Sequence, residues 1–133
     1  MTATPDFFAT NVLLGSAIPG NADTSLTGPT TQVTVVAAPG GSKQAKIEEI
    51  TCIGVGTTVA GLVNIFRYDG AVYHLVDQFV PTAVTVSTTV KSYKETHLYN
   101  NLFLGPADQL RASQSIAGNA SVIKVNAFGG YDA

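Results

Sequence analysis

Tryptophan is absent from the 133 residues, and cysteine and methionine occur once each. A single cysteine, Cys52, excludes an intrachain disulfide, so the fold must stand on its core alone. Its neighbours in "EEITCIGVG" are apolar, which predicts a buried, inert thiol. Charge is also scarce. Asp, Glu, Lys and Arg make up 12% of the chain, about half the usual share. The seven basic residues are scattered, and the formal net charge is −2. Neutralising several phosphates needs a grouped positive surface, so nucleic acid is not an expected partner. No run of apolar residues approaches the length of a membrane span, and the N-terminal stretch "MTATPDFFATNVLLG" lacks the pattern of a secretory signal. A soluble protein with no membrane partner is expected.

Helical periodicity is missing too. The longest candidate, residues 88–99, places its apolar side chains on no common helical face and is rich in Thr, Ser and Val. The chain offers β-forming runs separated by turn residues. These are 31–38, 46–55, 59–68, 71–80, 84–99, 109–115 and 121–130, with an apolar island at 7–14. The 84–99 run is long for one strand and predicts a kink or break. About eight strands at spacings of roughly 8–14 residues imply one all-β domain, an antiparallel β-sandwich, either a jelly roll or another Greek-key sandwich, with the jelly roll preferred. Composition divides the chain into an extended N-terminal arm, 1–31, and a sandwich domain, 32–133.

The arm carries Phe7, Phe8, Val12, Leu13 and Leu14, apolar residues expected to dock on the body of the domain or on a neighbour. The doublet Glu48-Glu49 interrupts the alternation of its strand and predicts a bulge or an edge, and so a second interaction site. Between two β-rich runs, "NIFRYDGAVYHL" (64–75) places Asp69-Gly70 where a type I′ hairpin turn needs residues tolerant of positive φ. Its aromatic residues are then cross-strand pairs.

Catalytic and cofactor patterns fail in turn. His74 and His97 stand on different strands without ligand spacing, so no metal site is predicted. "APGGSKQ" lacks the Gly-Lys-Ser/Thr order of a phosphate loop and no helix follows it. No Gly-x-Ser-x-Gly is present. Glu48, Glu49, Asp77 and Glu95 are the candidates for paired carboxylates, but adjacent strand residues point to opposite faces. No catalytic residue, cofactor or metal is assigned.

Four stretches in order, "GNADTSLTGPTTQVTVVAAPGGSKQAKIEEI", "GVGTTVAGLVNIFRYDG", "LRASQS" and "VNAFGGYDA", resemble a family of small virion proteins of tailed phages. The resemblance spans residues 14–133. It leaves "TPDFFATNVLL" unaligned, and Gln114 stands where the pattern has threonine. It implies a non-enzymatic head decoration, or cement, protein on the capsid surface of the virion, made in the host cytoplasm. Its implied partners are the major capsid protein and other copies of itself, as a homotrimer. Two further classes are a tail-associated module that stacks glycans on Tyr68, Tyr73, Tyr93, Tyr99 and Tyr131, and a tail or head–tail joining protein.

Overall fold

The β-forming runs become eight strands in a computed structural model that describes residues 12–131. They are β1 (Val12–Ala17), β2 (Val33–Val36), β3 (Ala45–Gly54), β4 (Val63–Tyr68), β5 (Tyr73–Phe79), β6 (Lys94–Leu104), β7 (Gln109–Gln114) and β8 (Ile123–Tyr131). One four-stranded sheet has the order β1-β8-β3-β6 and the other β2-β7-β4-β5. Every pairing is antiparallel. The chain is an all-β sandwich, as its periodicity implies.

Alternation decides what lies between the sheets. Ala45, Ile47, Ile50 and Cys52 of β3, with Ile123, Val125 and Ala127 of β8 beside them, face Val63 and Ile65 of β4 and Leu110 and Ala112 of β7 in one buried cluster. Ile47 and Ile50 are three residues apart and still share this side. The register of β3 shifts between Ile47 and Glu49 against both of its neighbours. An extra residue there restores the inward alternation, which is what a bulge does. The same bulge brings the β3 backbone onto β8, where a Cβ on Gly129 would overlap the carbonyl oxygen of Lys46.

The structure changes three expectations. β1 pairs with β8 through Val12↔Gly129 and Leu13↔Phe128, so the sandwich reaches back at least to residue 12 and does not start at 32. Val12, Leu13 and Leu14 belong to that strand, while Phe7 and Phe8 lie outside the described residues. The doublet Glu48-Glu49 marks the bulge but not an edge, because β3 is flanked by β8 and β6. The hairpin forms, but not on a two-residue type I′ turn. Tyr68 pairs with Tyr73, leaving a four-residue loop, and only Gly70 of that loop has positive φ, +97°. Asp69 closes the loop by accepting the Ala71 and Val72 amides on Oδ1 at 2.9 and 2.8 Å. The 84–99 run breaks, as expected. Val84 makes an isolated bridge to Thr58, and β6 starts at Lys94 and runs on through "NNLFL".

Residues 18–32 carry no regular strand, yet side chains fix them. Asp23 accepts the Ser25 amide on Oδ1, and the Thr30 and Thr31 amides on Oδ2, each of the latter at 2.7 Å. These backbone bonds, Thr31 first, hold its carboxyl below the usual range. Gln114 is buried; its amide donates to Gly20 O and accepts from Ile116 N, both at 2.8 Å. A threonine there is too short to span both partners. The sandwich has two open flanks. On one, β1 packs against β2, and a Cβ on Gly15 would overlap the Val35 carbonyl oxygen. On the other, side chains bridge β5 and β6.

Candidate functional site

Three features stand out on this frame: a polar cluster between the sheets, an aromatic and cationic cluster on one outer face, and exposed apolar residues on the other.

The polar cluster follows from the period of β6. Glu95, His97 and Tyr99 alternate along "KETHLY" and so share one face. That face meets β5, where Asp77 and Phe79 alternate in the same way. His97 Nδ1 lies 2.6 Å from Asp77 Oδ2, and Nε2 lies 2.6 Å from Glu95 Oε2. The ring stacks on the buried Phe79 with centroids 4.0 Å apart. Tyr99 donates its hydroxyl to Asp77 Oδ2, and Tyr93 donates to Glu95 Oε1 at 2.7 Å. Backbone amides complete the set, Gln78 to Asp77 and Val80 to Glu95.

Carboxylates at both ring nitrogens require a proton on each, so the geometry selects the imidazolium. Desolvation is the largest single influence on His97 and pulls its pKa down. The hydrogen bonds and charges of Asp77 and Glu95 together outweigh it, and the net shift is upward. Desolvation likewise raises Asp77 and Glu95. Tyr99 and His97 outweigh it at Asp77, and the Val80 amide, Tyr93 and His97 outweigh it at Glu95, so both end lowered. Burial first, then the neighbouring carboxylate, pushes both tyrosines up. Burial, reinforced by Glu95 and Asp77, does the same to the Cys52 thiol.

This arrangement is a closed charge network. Neither nitrogen of His97 is left to exchange a proton with a substrate. Asp77 and Glu95 are separated by the imidazole they bind, which leaves no room for a sugar between them. The two nitrogens point to opposite ends of the ring, so the three groups do not converge on one ion. Among the described residues no group of three or more His, Cys, Asp or Glu is placed to hold a metal.

The second cluster lies on the outer face of β2-β7-β4-β5 and contains the tyrosines of "FRYDGAVY". Phe66, Tyr68, Tyr73 and Arg111 share this face through the pairs Phe66↔Arg111 and Tyr68↔Tyr73. The two tyrosine rings stack at 4.3 Å. Phe66 is fully buried beneath the edge of Tyr73. The guanidinium of Arg111 lies over Tyr68, 4.4 Å from the ring centroid. His74 takes no part; its Nε2 lies 3.2 Å from Asp69 Oδ2. Asp69 is lowered to about 2, by the Val72 and Ala71 amides and then by His74.

The third feature is apolar. Leu13, Phe128, Glu49 and Leu98 line up across the outer face of β1-β8-β3-β6 by register. Leu98 is 76% exposed, and Leu13 and Phe103 are also exposed. Glu48 is held by Lys46 at 3.4 Å, and Glu49 accepts from Thr51.

Of the residues singled out from sequence, Val12 and Leu13 are exposed on β1, and Leu14 packs against the core. Four of the five tyrosines divide between the two clusters, and Tyr131 ends β8. Sequence reasoning missed the His97 network, Arg111, Leu98 and Phe103. The period-two spacing of Glu95, His97 and Tyr99 was the available signal. The described residues form no pocket. No family model matches the chain, and no curated protein matches it.

Proposed function

We propose that this chain is a non-enzymatic virion structural protein, a head decoration protein that binds the outside of a capsid shell and stabilises it. The strand orders 1-8-3-6 and 2-7-4-5 support reading the sandwich as a jelly roll of two Greek keys. The observation that carries the functional reading is the set of exposed apolar side chains on the outer face of β1-β8-β3-β6, Leu13, Leu98 and Phe103, with Leu98 at 76% exposure. Exposed apolar side chains on a weakly charged body suit protein contact. The sequence resemblance points the same way. A stable contact buries about 800 Å² on each partner. Copies joined as a trimer would multiply a weak single contact by avidity. Four of the five tyrosines are engaged within the two clusters, which argues against a sugar-stacking tail module.

The test is sedimentation of the purified protein, alone and with undecorated phage heads. The expected result is a trimer that moves with heads to a saturating ratio. Leu98→Asp and Phe103→Asp should lower that ratio with Tm unchanged. A protein that never moves with heads overturns the reading.

A further inference from the structure

Arg111 is held almost entirely by neutral partners. Its Nε donates to Gln109 Oε1 at 2.7 Å. Its Nη1 donates to Tyr73 Oη at 2.8 Å and to Gln32 Oε1 at 3.2 Å. Gln32 Nε2 also donates to Tyr73 Oη, at 2.8 Å, so that hydroxyl oxygen is a shared acceptor. The plane of the guanidinium rests over Tyr68. No carboxylate among the described residues forms an ion pair with it; Asp108, near the start of the same strand, lies 4.0 Å from Arg67.

One end of the fork is unused. Nη2 has no hydrogen-bond partner among the described residues. It is not sealed either, because Ser113 Oγ is the one buried side-chain nitrogen or oxygen there without a partner. The cation is therefore oriented by four side chains and stripped of part of its water, with Nη2 not fully covered. Orientation in advance lowers the entropy cost of binding. Nη2 keeps both of its hydrogens, so it can donate to a carboxylate oxygen in a charge-assisted hydrogen bond.

We infer that Arg111, beside the Tyr68–Tyr73 stack, is a binding site for the carboxylate of an aspartate or glutamate on a protein partner. Charge complementarity selects the carboxylate. The flat surroundings, with no pocket among the described residues, favour a side chain lying on a sheet face over a sugar acid, which needs a concave site. The capsid reading enters only in making the partner a capsid protein. The site itself stands on the geometry of Arg111.

The experiment is an NMR titration of the intact protein with N-acetyl-aspartate methylamide, following the Arg111 Nε–Hε signal and the Tyr68 and Tyr73 ring signals. N-acetyl-asparagine methylamide, sodium chloride at matched ionic strength, glucuronate and N-acetylneuraminate are run in parallel. The aspartate probe should shift these signals saturably, with a Kd of about 10–100 mM, as one charged hydrogen-bonded pair provides. The asparagine probe and chloride should not. Arg111→Lys keeps the charge but loses the bonds to Gln109, Gln32 and Tyr73 that orient the cation, and should weaken binding at least about fivefold. Equal shifts from chloride, or undiminished binding by Arg111→Lys, overturn the site. Saturation by either sugar acid at lower concentration than by aspartate overturns the assignment to protein. Failure of this titration leaves head binding untouched, and failure of head binding leaves the titration untouched, so the two readings fall separately.

Discussion

His97 of β6 and Asp77 of β5 meet at 2.6 Å across the gap between the two sheets. Their strands belong to different sheets and are not paired. The contact, with Glu95 on the other side of the ring, is therefore a side-chain clasp where the backbone has none. It closes the flank opposite to the one where β1 packs on β2.

Removing the cation should cost more than removing a hydrogen bond on the surface. His97→Gln leaves Asp77 and Glu95 facing each other without the charge between them. A partly exposed network of this kind should lose about 1–2 kcal/mol, below the value for a fully buried pair. Urea denaturation at pH 6 measures it. An unchanged midpoint would mean the clasp is idle.

The same clasp sets a pH window. His97 is raised above its ordinary 6.5, so its contribution is complete below that value and is lost as pH rises through the folded pKa. Asp77 and Glu95 are lowered from 3.8 and 4.5, so theirs is complete above those values and is lost as pH falls through the folded pKa values. Stability should be greatest between about pH 5 and 6.5. Denaturation midpoints from pH 3 to 9 should fall on the alkaline side for the natural chain. His97→Gln should lack that alkaline limb; if it keeps the limb, another group is responsible.

Backbone proximity gives a sharper prediction. A Cβ on Gly15 or Gly129 would strike a carbonyl oxygen of a neighbouring strand, which cannot swing aside as a side chain can. Gly15→Ala and Gly129→Ala should each cost about 2–4 kcal/mol. Nothing lies within 4 Å of a Cβ at Gly20 or Gly28, so alanine there should be neutral. Thermal melting of the four variants ranks them.

The loop of Asp69 offers a conservative test. An asparagine oxygen can accept the same two amides, so Asp69→Asn should melt close to the natural chain, whereas Asp69→Ala should melt lower. Gly70→Ala should also melt lower, because φ of +97° strains a residue with a Cβ. Equal Tm values for the three variants would remove the loop from the determinants of the hairpin.

Asp23 should act locally. Asp23→Ala removes the acceptor of the Ser25, Thr30 and Thr31 amides. Hydrogen exchange should accelerate at those three positions and leave β3 and β8 unchanged. Uniform exchange rates across the variant and the natural chain would show that the loop holds itself by other means.

How much of this is legible in the chain depends on distance along it. The hairpin of β4 and β5 is local, and Asp-Gly announces it. The length of its loop is not announced, because it is set by the pairing of Tyr68 with Tyr73. Glu48-Glu49 breaks an alternation, and a bulge and an edge leave the same mark; only the neighbours β8 and β6 distinguish them. β1 reads as an arm because residues 18–32 isolate it, and its partner β8 lies at the far end of the chain. The His97 network needs two edge strands from two sheets. Half of it is written in the spacing of Glu95, His97 and Tyr99, and the other half is not.

The pairing of β1 with β8 has a consequence in time. A strand at one end of the chain has its ladder partner near the other, and β3 too is flanked by β8. On a ribosome the backbone edges of β1 and β3 that pair with β8 must wait, unpaired, until β8 emerges. The local hairpin of β4 and β5 can form in microseconds, but the sheet around β8 is dominated by distant contacts and must close late and slowly. Any contact made through the surface that carries Leu13, Phe128 and Leu98 then has to wait for β8, because that surface comes into being only when β8 is in place.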